Sequence, residues 1–291
     1  MVSIIDSPDF LVTHNEISNM SFLKKIIFLF YGFFVSLIFK YTKNLFFTRC
    51  INLFLNKPVK IMYQDGYYCA KDELGVFRFT NKRVTRVLNG IDEHCKKLFE
   101  HYMLNLINFE GNDLIVDCGA NVGEIPRHLL NNFKEKELKY IAFEPDPEIY
   151  KCLNENFKQN NFFSYNSALS NENAKKYFYL DSISADSSLE FSGQKEKIEI
   201  QTVTLDEFKF ENIKVLKIDA EGHELEVLQG AKTTLPKIHY ISVDFGLEKG
   251  LEKQSTLPGI VNFLIKNNFY MIEVNLNRNI GLFKNSLISN N

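Results

Sequence analysis

Side chains able to do chemistry cluster in three short stretches of this 291-residue chain. "LIVDCGANVGEIPRHLL" (residues 114–130) runs aliphatic residues into Asp117, then sets Gly119 and Gly123 with three residues between them. Such glycines let the backbone turn tightly and approach a ligand, while N–H groups opening the next helix face it. "YIAFEPDPEIY" (140–150) carries Glu144, and "KIDAEGHE" (217–224) crowds Asp219, Glu221, His223 and Glu224 together. One stretch suits a ligand's backbone cradle, one its hydroxyls, and one a proton transfer.

The first pattern is D-x-G-x-x-x-G, not the G-x-G-x-x-G of dinucleotide sites, since Ala120 and Asn121 follow Gly119. An acid at the strand tip suits a cationic or zwitterionic ligand better than a pyrophosphate. That points toward S-adenosylmethionine, whose sulfonium and α-ammonium are both positive. Glu144 ends the next strand, where a carboxylate can accept from both ribose hydroxyls; its bland alternative is a solvated acid opening a helix, as Pro145 and Pro147 suit a first turn. "NSALSN" (166–171) follows the third strand, and puts Ala168 near where an adenine ring would lie.

On the acceptor side Asp219 sits just past the fourth strand. His223 is a candidate general base, since imidazole is the side chain best suited to take a proton at neutral pH, or else an ordinary first-turn residue of the following helix. Glu221 joins them as a catalytic candidate, while Glu224 and Glu226 suit a helix N-terminus. Asp219, Glu221 and Asp244 would be the ligands of a magnesium-type variant. No dense histidine cluster accompanies them, so no metal is expected. His94, His101 and His128 fall on helical stretches and read as exposed or packed histidines.

The elements that must position these residues follow from periodicity. Strand-like runs at 114–117, 140–144, 162–167, 215–219 and 240–244 alternate with helical stretches such as "EIPRHLLNNF" and "PEIYKCLNENFKQNN". That alternation predicts a doubly wound α/β fold with a mostly parallel, seven-stranded sheet, closed by an antiparallel pair at 269–274 and 280–283. Residues 175–180 and 197–205 read as a hairpin or edge pair inserted before the fourth strand. Upstream, 59–80 reads as short strands around an Asp65-Gly66 hairpin turn, and 82–106 as helical. The domain boundary is expected near 84, leaving 1–84 as an extension and 85–291 as the catalytic domain.

With "VDCGANVGE" and "AFEPDP" in place, "VLKIDAEGHELEVLQGA" (215–231) makes the chain resemble the FkbM family of S-adenosylmethionine-dependent methyltransferases. "VTLDEF" (203–208) matches the family's run-up, and the resemblance spans roughly residues 85–285. It implies a class I, Rossmann-like fold and methyl transfer, commonly to a hydroxyl of a sugar, polyketide or related metabolite. Carried onto this chain, it implies that Asp117, Gly119, Asn121 and Gly123 hold the methionine part and Glu144 the ribose. Ala120 and Pro145 count with them as cofactor-binding. The acceptor's identity does not carry over. The rival readings are a nicotinamide-dependent oxidoreductase and a non-catalytic domain binding a partner or lipid.

A formal net charge of −2 does not suggest a broad polyanion-binding surface, so no nucleic-acid partner is expected. Five scattered cysteines without a C-x-x-C pair fit a reducing compartment and a cytoplasmic location. Residues 1–21 are unpatterned and expected to be mobile. Residues 26–39, "IIFLFYGFFVSLIF", carry no charge and are flanked by Lys24, Lys25 and Lys40. A helix of that length spans roughly 21 Å, short of a hydrocarbon core of about 30 Å. With its flanks the segment predicts an apolar helix over 22–40, which reads first as a buried or oligomer-facing helix and second as membrane attachment, with the catalytic domain on the cytoplasmic face. Asp6, Asp9 and Glu16 ahead of it fit a signal peptide poorly.

Overall fold

A computed structural model describes residues 21–157, 162–180, 187–190 and 196–288. The expected mobile leader, the end of the helical stretch 147–161 and most of the loop between the hairpin strands lie outside these residues. The chain divides into two compact units, one ending at His94 and the other beginning at Cys95.

The first unit opens with two helices, α1 (Phe22–Tyr41) and α2 (Asn44–Leu55). Three antiparallel strands follow in the order β1 (Ile61–Gln64), β2 (Tyr67–Asp72) and β3 (Gly75–Phe79). Asp65 and Gly66 both take positive φ (53° and 86°) between the paired Gln64 and Tyr67, the primed turn expected of that dipeptide. α2 lays Phe47, Ile51 and Leu55 inward, and Asn52 clamps Ile61 by accepting from its N–H and donating to its C=O. By length and composition α1 is sufficient to cross a membrane.

The helical pattern expected across 82–106 is broken in the structure. A 3-10 turn covers Lys82–Val87, with the Asn81 side chain accepting from Arg83 N–H. Helix α3 then runs Ile91–His101, and a second 3-10 turn covers Leu104–Leu106. Gly90, at φ 156°, and Met103, at φ 55°, interrupt the helical hydrogen bonds that the apolar spacing alone suggested.

The second unit is built on a seven-stranded sheet. Its strands are β4 (Leu114–Cys118), β5 (Lys139–Phe143), β6 (Phe162–Tyr165), β10 (Ile213–Ile218), β11 (Ile238–Asp244), β14 (Phe269–Asn275) and β15 (Ile280–Asn285). The order is β14-β15-β11-β10-β4-β5-β6. The five strands from β11 to β6 run parallel, and β15 is antiparallel to both neighbours. Runs such as Val215, Leu216 and Ile218 are fully buried on both faces of the sheet, as central parallel strands require.

Helices α4 (Glu124–Asn132), α5 (Pro147–Asn156), α6 (Glu224–Gln229) and α7 (Leu257–Lys266) connect the strands. α5 starts cleanly because the Asp146 side chain accepts from Glu148 and Ile149 N–H and Pro147 fixes the first turn. The inserted pair forms a separate three-stranded sheet: β8 (Ala174–Leu180) lies antiparallel to β9 (Glu196–Val203), and β7 (Ala168–Leu169) joins β9 in parallel. A short antiparallel pair, β12 (Leu247–Lys249) and β13 (Gln254–Ser255), follows β11.

Candidate donor and acceptor site

β4 lies between β10 and β5, so connections leave it toward opposite sides of the sheet. Ligands in open parallel sheets bind beyond the strand ends at such a reversal. Two turns meet there. In the turn after β4, Gly119 and Ala120 N–H both donate to Phe143 C=O at 3.0 and 3.1 Å. In the turn after β10, Asp219 N–H donates to Cys118 C=O at 3.1 Å.

Both glycines of the first turn have positive φ, 79° at Gly119 and 93° at Gly123. Each is also a packing necessity. A Cβ on Gly119 would lie 2.0 Å from the Asp219 carbonyl oxygen, and one on Gly123 would lie 2.1 Å from the Phe157 ring. Close backbone approach is thus real, but at Gly119 the partner is the protein's own second turn.

Beneath the turn lies a buried charge cluster. Asp117 is 1% exposed; its Oδ1 pairs with Lys217 Nζ at 2.9 Å, and its Oδ2 accepts from the Tyr140 hydroxyl. Lys217 also donates to Gly119 C=O at 2.7 Å and Cys118 C=O at 3.3 Å, and lies 4.8 Å from the centre of the Tyr102 ring. Asp219 Oδ2 is 4.0 Å from that ammonium and accepts from the Tyr102 hydroxyl, while its side chain keeps 27% of its surface exposed. Burial alone would lower the Lys217 ammonium, but Asp117 and then Asp219 outweigh it and hold it above its ordinary value. Burial, then the neighbouring carboxylates, push the Tyr102 and Tyr140 phenols well up, so both remain donors.

Asp117 therefore has both oxygens engaged inside the protein. Lys217, which no motif singles out, helps join the two turns. Its clue was a lysine inside an apolar strand, two positions before Asp219.

Glu144 is also buried. Its Oε2 accepts from Asn121 N–H at 2.9 Å and its Oε1 from Asp146 N–H at 3.0 Å. Burial nevertheless pushes the carboxyl up to about 8, with the two backbone donors only partly offsetting it. The Asn166 side-chain amide donates to the carbonyls of Glu144 and Pro145 at 2.9 and 3.0 Å. Asn166 thus ties the end of β6 to the Glu144 turn. Ala168 lies in β7, packed with Phe178 and Ile200 in the core of the small sheet.

His223 is 6% exposed and has both ring nitrogens occupied. Nε2 is 2.9 Å from Ser170 Oγ, and Nδ1 is 3.3 Å from Glu190 Oε1. Lys249 Nζ reaches Glu190 at 3.0 Å and Glu226 at 2.7 Å. The hydrogen bond from His223 and the charge of Lys249 hold Glu190 down to about 2. Gly230 is needed for the same assembly, since a Cβ there would lie 1.9 Å from the Ser170 carbonyl oxygen.

Glu221 takes φ 48°, and its carbonyl accepts from Ser188 Oγ at 2.6 Å. Glu224 is fully buried; its Oε1 accepts from Ala220 and Gly222 N–H, and burial pushes it up to about 7. The Asp244 carboxylate accepts from Gly246 N–H at 2.9 Å. Among the described residues, the group with metal-ligand spacing is Glu190, His223 and Glu226 rather than Asp219, Glu221 and Asp244. The Lys249 ammonium already pairs with both of its carboxylates.

A doubly wound sheet with two turns meeting at the strand reversal is a Rossmann-like arrangement, the place where such sheets bind ligands. Comparison with known proteins makes this specific. The family model described as "Methyltransferase FkbM domain" matches residues 117–271, and the chain belongs to that family. The chain is similar to methyltransferase sdnD of Sordaria araneosa, at 26% identity over 46% of this chain and 66% of that protein. It is similar to hexuronic acid methyltransferase AglP of Haloferax volcanii, at 28% identity over 46% of this chain and 56% of that protein. 2-O-methyltransferase NoeI of Sinorhizobium fredii is 23% identical over 65% of this chain and 86% of that protein. The match thus spans just under two thirds and just over half of the first two relatives' lengths.

Family membership makes S-adenosylmethionine the cofactor. The residues present fit it. Asp117 and Asp219 outnumber the one buried ammonium of Lys217, a balance suited to a positive ligand. Each Glu144 oxygen holds one backbone N–H, which leaves acceptor capacity for ribose hydroxyls.

Proposed function

We propose that the protein methylates a hydroxyl of a sugar-type acceptor. The observation that carries this reading is the joining of the two turns at the sheet reversal, through Lys217 to Gly119 C=O and Asp219 N–H to Cys118 C=O. Methyltransferase chemistry follows the family; the oxygen and the sugar are supported by relatives named for a hexuronic acid and for 2-O-methylation.

S-adenosylmethionine supplies an activated methyl group on a sulfonium. This chain's residues do the rest. Glu144 would accept from the ribose hydroxyls, and the backbone of residues 119–123, with the side chain of Asn121, would line the methionine part. Asp117 acts through Lys217: it fixes the ammonium that holds the turn and sets the local charge. Ala168 supports the adenine side from the small sheet, and Pro145 and Ala120 shape the two turns.

An acceptor hydroxyl must be aligned with the methyl carbon and lose its proton as the bond forms. Asp219, partly exposed beside both turns, is the group we assign to take that proton. His223 holds the wall of the acceptor side through Ser170 and Glu190 instead of accepting the proton. Glu221 shapes the same turn through its left-handed backbone.

Incubation with methyl-labelled S-adenosylmethionine and a panel of uronic acid and neutral hexose glycans tests the reading. Label in an alkali-stable ether on the sugar is expected. Alkali-labile label on a carboxyl group, or label only on protein or nucleic acid, would overturn the hydroxyl assignment.

A further inference from the structure

α1 and α2 share a property that the fold of their unit leaves unexplained. α2 buries Phe47, Thr48, Ile51 and Leu55 on one face, yet its other face is also apolar. α1 buries Val35 and Ile38, both near its C-terminal end. Phe22, Phe30 and Phe33 of α1 and Phe46, Leu53 and Phe54 of α2 stay exposed, Leu53 at 82% and Phe22 at 79%. Exposed apolar surface of this extent marks a contact site. The helices form one element, because the Tyr31 hydroxyl donates to Phe54 C=O at 2.6 Å and the Phe34 and Phe54 rings stack at 6.3 Å.

The charges around this surface identify what covers it. Residues 21–64 contain seven cations, Lys24, Lys25, Lys40, Lys43, Arg49, Lys57 and Lys60, and no Asp or Glu. A second copy of the same face would bring like charges together. An anionic bilayer satisfies both features, taking aromatic side chains into the acyl region and pairing cations with headgroups. The 20 residues of α1 rise about 30 Å, matching a hydrocarbon core. Lys24, Lys25 and Lys40, within its ends, have stems long enough to reach the headgroups.

We propose that α1 and α2 form a docking element for an anionic lipid bilayer, with the Phe-rich faces in the acyl region and the flanking cations at headgroup level. The proposal stands apart from the methyl-transfer reading and fails or holds independently of it.

The test is flotation of the full chain with vesicles of phosphatidylcholine alone and of phosphatidylcholine with roughly a quarter phosphatidylglycerol. Co-flotation with the anionic vesicles is expected, at least about tenfold stronger than with the neutral ones. Phe33→Asp with Phe46→Asp replaces two exposed side chains, so circular dichroism and S-adenosylmethionine affinity should be unchanged while flotation is lost. Three results would overturn the proposal: no flotation with either vesicle, equal flotation with both, or flotation that survives the double substitution. A stable dimer in vesicle-free buffer that the same substitutions abolish would also overturn it, by assigning the face to a second copy.

Discussion

Two charge clusters flank the turn after β10, and they play opposite parts. One centres on Lys217, with Asp117, Tyr140, Tyr102 and Asp219 around it, and its ammonium reaches the glycine turn directly. The other centres on His223, with Ser170, Glu190, Glu226 and Lys249, and both imidazole nitrogens are consumed within it. By residue type the histidine is the more attractive catalyst. By geometry the lysine cluster is the one that joins the two turns. A reactive side chain matters chemically only where its polar atoms are not already committed, and a buried structural charge matters where it sets the shape and potential of a site.

The largest expected effect comes from breaking the lysine cluster. Lys217→Met leaves Asp117 buried and unpaired, and should cost about 3–5 kcal/mol in denaturant unfolding. Adding Asp117→Asn should restore much of that stability without restoring S-adenosylmethionine affinity. Recovery of full affinity in the double variant would show that the cluster serves folding alone. Gly119→Ala comes next: the added Cβ meets the Asp219 carbonyl and an unfavourable φ, so the turns must separate. A loss of roughly 2–3 kcal/mol with little measurable cofactor binding is expected.

A change at the histidine cluster should be milder in chemistry. His223→Gln should lower stability by about 1–2 kcal/mol, yet keep kcat within about tenfold of the parent. A fall in kcat of more than about a hundredfold with KM unchanged would make His223 the base and erase the contrast between the clusters. The smallest effect is the pH dependence. Glu144 and Glu224 are raised to about 8 and about 7, so the native state keeps protons that the unfolded chain releases above its ordinary carboxylate range. Their contribution is fully present below about pH 4.5 and is lost as pH rises through 7 and 8, so stability should fall across that window. Glu144→Gln should flatten the decline; an unchanged slope in thermal melts would place the titration elsewhere.

Much of this arrangement is legible in the sequence for local reasons. The strands follow from uninterrupted apolar runs, the Asp65-Gly66 turn from its dipeptide, and the start of α5 from Asp146 followed by Pro147. The place of Glu144 just past a strand end is legible because apolar strand runs end where the charged residues begin. Long-range pairings leave no such mark. Lys217 meets Asp117 from 100 positions away, and His223 meets Ser170 from 53, so neither commitment can be read from spacing. The continuous helical pattern at 82–106 misled because an apolar period does not reveal where Gly90 and Met103 leave helical backbone. Gly119 was recognised, but its reason lay in a carbonyl of another strand's turn.

The most direct measurement is calorimetric titration of the protein and its Glu144→Ala variant with S-adenosylmethionine, S-adenosylhomocysteine and NAD. The account predicts binding of the first two and not the third, with S-adenosylmethionine affinity reduced more than about tenfold in the variant, or about 1.4 kcal/mol. Binding of NAD alone, or an affinity for S-adenosylmethionine unchanged by Glu144→Ala, would contradict it.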